Sequence, residues 1–101
     1  MDAKTQELVS LIDQAIAMAQ DRLGAKRAGQ DDPSTEAGLE QIISGLQYRR
    51  DEAVSTGFEV FDVGVNLGLA RAALEYDVPD SDLIRKIGDV ERYFTKHFVR
   101  H

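Results

Sequence analysis

The chain has 101 residues, no cysteine, and a net charge of −6 from 18 acids against 12 bases. That length suits one domain around one core. The missing thiols exclude a disulfide framework, a cysteine nucleophile and a cysteine-based zinc site, and the acidic balance leaves little with which to neutralise phosphates, so no nucleic-acid partner is expected.

Apolar residues at Leu8, Leu11, Ile12, Ala15, Ile16, Ala19 and Leu23 recur at i, i+3, i+4. This spacing predicts an amphipathic helix over about 3–23, ended by Gly24. The segment starts close to Met1 and is charged throughout, so it reads as neither a signal peptide nor a membrane span. No apolar run approaches the roughly 18 residues a span needs, and a membrane role is not expected. Together with the lack of cysteine, this points to the cytoplasm.

The second element opens in the stretch Asp31-Asp32-Pro33-Ser34-Thr35-Glu36. Asp32 can cap a helix, and Pro33 suits its first position, where an N–H is not needed. Leu39, Ile42, Ile43, Leu46, Ala53 and Val54 give the apolar face of a helix over about 33–55. Arg49 and Arg50 interrupt that face. Either one pairs with an acid of the next element, or both pack their stems and reach water with their heads. The strongest turn signal after it is Thr56-Gly57.

The third element alternates apolar residues at Val63, Val65, Leu67 and Leu69, which resembles a strand. Gly64 and Gly68 would weaken a strand, and no second strand is available to pair with it. The continuation from Ala70 to Tyr76 has strong helix formers. The expectation is therefore one helix over about 58–77, apolar around most of its circumference, with Glu59, Asp62 and Asn66 as a thin polar line. Such a helix is central or is covered by a partner, and glycines four residues apart permit close approach of a neighbour. The fourth element, about 81–98, shows a clean stripe of Leu83, Ile84, Ile87, Val90, Phe94 and Phe98. Asp80 or Ser81 caps it, and Asp82 suits its positive end. The predicted fold is all-α: one compact, mostly antiparallel four-helix bundle forming a single domain, 1–101.

The chemistry-bearing residues are few. Asp80 and Asp82 are spaced like the first ligands of a calcium loop, but Ile84 and Arg85 stand where an oxygen ligand and a glycine are needed. His97 and His101 are i, i+4, yet lack a third ligand and the glutamate of a metalloprotease helix. No serine nucleophile motif and no phosphate-cradling glycine loop is present. No enzyme activity, metal or cofactor is expected. Residues 51–91 carry ten acids against three bases. Within them, Leu74 to Leu83 reads as a helix connection in which Pro79 ends one helix. Glu75 and Asp77 are acids that capping does not require, and they suit a basic partner.

Three stretches together are similar to a known family. They are 11–23, with Ile12-Asp13 and Asp21-Arg22-Leu23; 36–42; and 67–94, with Leu67-Gly68, Ala72, Glu75-Tyr76 and then Asp80. This pattern resembles the small helical immunity proteins of type VI secretion systems that neutralise NAD(P)-glycohydrolase effectors. No match extends over 43–66, where a partner-specific surface has room. The resemblance implies a non-catalytic cytoplasmic protein that binds a cognate protein toxin and blocks its active site. Glu59, Asp62, Asn66, Glu75, Tyr76 and Asp77 are the candidate partner-binding residues. Two alternatives from other classes stand beside it. One is a self-associating helical adaptor or regulator, a homodimer built on the third helix. The other is a small enzyme or metal protein built on His97 and His101.

Overall fold

The computed structural model describes residues 3–30, 35–56, 68–75 and 81–98, and every regular element among them is an α-helix. They are α1 (Ala3–Arg27), α2 (Glu36–Thr56), α3 (Leu69–Leu74) and α4 (Asp82–Phe98). The all-α expectation holds, but the four-helix bundle is corrected: among the described residues three long helices, α1, α2 and α4, make the body of the fold. The six residues of α3 are under two turns. The cause is Gly68, whose φ of 72° is left-handed. A right-handed helix cannot run through such a residue, so the helix expected over 58–77 is broken there. Gly68 therefore serves a turn rather than a close helix crossing, and Gly64 lies outside the described residues.

The middle position, expected for the third helix, belongs to α1, which packs against both α2 and α4. Leu8, Ile12, Ala15 and Ala19 of α1 are fully buried. Two alanines among them keep the side-chain layer thin where the neighbours approach. α3 lies against α4 and α2, and puts Leu69 and Ala73 into the common core. On α2, the core residues are Leu39, Ile42, Leu46 and Ala53, whereas Val54 is 47% exposed. All six residues of the α4 stripe are buried, and the Phe94 and Phe98 rings lie nearly parallel, 5.8 Å apart. Fully burying side chains of this kind stabilises by about 1.5–3 kcal/mol each.

The helix ends follow local hydrogen bonding. Ser81 caps α4: its Oγ accepts the Ile84 N–H at 3.1 Å, and its carbonyl accepts the Arg85 N–H. Thr35 does the same for α2, with Oγ1 accepting the Gly38 N–H at 2.9 Å. The start expected from Asp32 and Pro33 lies outside the described residues. α1 runs past the expected stop at Gly24 and ends at Arg27. Gly29, with φ 91°, is the actual terminator. The Gly29 N–H reaches the Lys26 carbonyl, and the Gln30 N–H reaches that of Ala25. This is the paired C-terminal lock that a left-handed glycine makes possible.

Gly24 and Gly29 make a controlled pair, because a Cβ at either would meet nothing within 4 Å. They differ in backbone angle alone. Gly24→Ala is expected to stabilise the fold by about 1 kcal/mol through helix propensity. Gly29→Ala is expected to destabilise it by about 1 kcal/mol through left-handed strain. Urea unfolding of the two variants checks the opposite signs; equal signs would refute this account of where α1 ends.

Candidate partner-binding surface

Of the six candidate binding residues, Glu75 is described: it is exposed in the turn that follows α3. Glu59, Asp62, Asn66, Tyr76 and Asp77 lie outside the described residues. Glu75 stands beside Leu74, which is 47% exposed. The short helix that carries it is held by a contact from far along the chain. The Leu69 N–H, first in α3, donates to Glu91 Oε1 at 2.7 Å. Glu91 sits on α4 and supplies the acceptor that a capping side chain normally supplies from the residue before a helix. No local sequence signal marks this, since donor and acceptor are 22 residues apart.

The arginines that interrupt the α2 face each find a carboxylate. Arg49 Nη1 lies 2.8 Å from Glu52 Oε1 on the same helix, and its guanidinium also stands 5.6 Å from the centre of the Tyr48 ring. Arg50 Nε lies 2.5 Å from Asp13 Oδ1 on α1. Of the two options open from the sequence, a pair with an acid of the third element or a head that reaches water, the structure shows a partly exposed Arg50 whose acid is on α1. The hydrogen bond to Asp13, aided by its charge, holds the Arg50 guanidinium above its ordinary pKa. An arginine is cationic throughout the ordinary pH range in any case, so the contact acts on where the Arg50 head sits and not on its charge. These pairs are partly exposed and contribute modestly to stability; Arg50 serves chiefly to fix the register of α2 on α1. Lys86 Nζ donates to Gln14 Oε1 at 3.0 Å and ties α4 to α1 in the same way.

At the loop end of the α1–α2 pair, Arg27 lies 2.7 Å from Glu40 and 3.7 Å from Glu36. Two shallow hollows lie along this seam. One is bounded by Gln20, Leu23, Gly24, Ile43 and Ser44 near Arg27, and the other by Asp13, Ile16, Gln47 and Asp51 near Arg50. On the other side of α2, an apolar crevice of about 30 Å³ is walled by Ile42, Leu46, Leu69, Ala73 and Ile87. It is close in size to one water but offers that water too few polar partners. A Cβ on Gly45 would enter ordinary contact with Leu69 at 3.8 Å, so the crevice is a packing gap of about one methyl group.

Asp82, a candidate calcium ligand by spacing, sits in the first turn of α4 and pairs with Arg85 at 2.6 Å. Asp89 pairs with Arg92 on the next turn. His97 packs its ring on Tyr93, with centroids 4.3 Å apart; His101 lies outside the described residues. Among the described residues no group of three or more His, Cys, Asp or Glu is placed to hold a metal ion. No helix among them is long and apolar enough to cross a membrane. Every buried side-chain nitrogen or oxygen among them has a hydrogen-bond partner. The chain matches no protein-family model, no curated protein and no solved structure.

The Glu91 contact yields a direct test. Glu91→Ala removes the acceptor of the Leu69 N–H, and is expected to speed hydrogen exchange at Leu69 and to cost about 1–2 kcal/mol. Glu91→Gln, which keeps a carbonyl acceptor, is expected to retain most of the protection. Unchanged exchange in the alanine variant would mean that α3 is held by apolar contacts alone.

Proposed function

We propose that this chain is an immunity protein that binds a cognate protein toxin in the cytoplasm and blocks its active site, without catalysis or cofactor of its own. The toxin class suggested is the NAD(P)-glycohydrolase type delivered by type VI secretion. The observation that carries the reading is the sequence pattern of 11–23, 36–42 and 67–94, which resembles that of such antidotes. Two further features support it. The chain carries net charge −6, which favours a basic partner and raises its rate of association. Glu75, in the acid-rich stretch after Leu74, is exposed and open to contact.

A second reading, a self-associating helical module, draws on Tyr48, Val54 and Leu74, which are 66%, 47% and 47% exposed. Single apolar residues at a surface are common in monomers and need no partner to explain them, so this reading ranks second. A stable dimer at micromolar concentration with no other protein present would move it ahead.

The test uses the product of the open reading frame next to this one, expressed in cells with and without this chain, while growth and cellular NAD are followed. The expected outcome is loss of NAD and growth that this chain restores. Growth arrest with NAD intact, still relieved by this chain, would keep the antidote and replace the toxin class. A harmless neighbour would remove the reading. Reversing the charges of Glu59 and Asp62 together is expected to weaken the protection while leaving the helical content unchanged; full protection would shift the contact to another face.

A further inference from the structure

Among the described residues α2 and α4 do not meet: no Cα of one lies within 8 Å of a Cα of the other. Two elements join them instead. α1 packs on both, and the short α3 also packs on both without coming within that distance of α1. α3 is therefore a wedge between α2 and α4. Leu69 and Ala73, one turn apart, are its buried side chains in the common core. Opposite them stand Ile42 and Leu46 of α2 and Ile87 of α4. The wedge fits incompletely. The apolar crevice of about 30 Å³ lies among these same residues, and a Cβ on Gly45 would still be 3.8 Å from Leu69.

The forces that hold α3 are small beside those on the long helices. α1 buries Leu8, Ile12, Ile16 and Leu23, and α4 adds two isoleucines and two phenylalanines. The sequence of α3 is Leu-Ala-Arg-Ala-Ala-Leu, and the second leucine, Leu74, is 47% exposed. Leu69 is thus the one large apolar side chain that α3 commits to the core. Its N–H is anchored by Glu91 Oε1 at 2.7 Å. Against this burial and this hydrogen bond stands the conformational entropy of ordering six residues. The first offsets the second only narrowly. In sequence, twelve residues (57–68) join α2 to α3 and seven (75–81) join α3 to α4. That is chain enough for a piece of under two turns to move several ångströms.

We infer that α3 is a latch: it leaves and re-enters the space between α2 and α4 as one unit while α1, α2 and α4 stay packed, and its exit uncovers an apolar trough walled by Ile42, Leu46 and Ile87. The latch does not depend on the antidote reading. One consequence does rest on it. The six candidate partner-binding residues flank α3 in sequence, with Glu59, Asp62 and Asn66 before it and Glu75, Tyr76 and Asp77 after it. A partner that grips both flanks would act on the latch directly.

The test is amide hydrogen exchange of the full chain in rising, sub-denaturing urea. The Leu69 and Ala73 amides are expected to exchange through an opening at least about tenfold more populated than global unfolding, with little dependence on urea. The Ile12, Leu46 and Ile87 amides are expected to exchange together, with the steep dependence of the whole fold. Gly45→Ala puts a methyl group against Leu69 and is expected to lower the population of the open form about threefold. Its gain in helix propensity is present in both forms, because α2 stays helical in each, and cancels from this comparison. Ala73→Asp places a carboxylate in the core face of α3. It is expected to release α3, to raise the binding of an apolar fluorescent dye several-fold, and to leave a cooperative thermal transition. One urea dependence shared by α3 and α1, no change at α3 in Gly45→Ala, or loss of the whole fold in Ala73→Asp would overturn the latch. Any of these results would leave the antidote reading to the growth and NAD measurement, which does not depend on how α3 moves.

Discussion

The fold depends on one helix being buried on two sides. α1 packs on α2 and on α4 together, and its core positions include Leu8, Ile12, Ala15 and Ala19 at zero exposure. Doing both asks for an apolar arc wider than one partner needs, and small residues inside it. The alanines meet the second requirement. The polar ties then set register without adding much stability: Arg50 to Asp13 fixes α2, and Lys86 to Gln14 fixes α4. Each carries a long side chain across from an outer helix to the central one.

How much of this was legible in the sequence varied with how local the cause was. The α4 stripe was read in full, because a period of 3.6 residues against one core face leaves a complete record in the order of residues. Its cap was narrowed to two neighbours, and the hydroxyl of Ser81 proved to be the acceptor. The end of α1 was misplaced because two glycines lay within reach. Spacing alone does not say which adopts the left-handed angle; Gly29 does, while Gly24 remains helical. The partner of Arg50 on α1 has no mark in the sequence for a related reason. A side chain at the edge of an apolar stripe announces that it leaves the core, but not which neighbour it meets.

The structure departs most from the sequence pattern over 58–77, a segment rich in helix formers. Propensity and an apolar surface favour one continuous helix there, and glycines four residues apart suit close packing as readily as a turn. The deciding facts were a positive φ at Gly68 and an acceptor for Leu69 on α4. A carboxylate 22 residues away lets a helix begin where its own sequence offers no cap. The binding residues chosen from the sequence fall largely in this region, and Glu75 alone of them has a described place, on the surface.

The central position of α1 has a further consequence for assembly. α1 and α2 are consecutive and can pair as a local hairpin, whereas the Lys86 to Gln14 contact spans 72 positions. Contacts between close neighbours in sequence form sooner than those that close long loops. A hairpin formed first leaves one flank of α1 bare, shaped to receive α4. Nothing in that flank distinguishes the α4 of its own chain from the α4 of another. Exchange of that last helix between two molecules would therefore give a dimer with no new contact surface, at concentrations where encounter between chains outpaces closure within one.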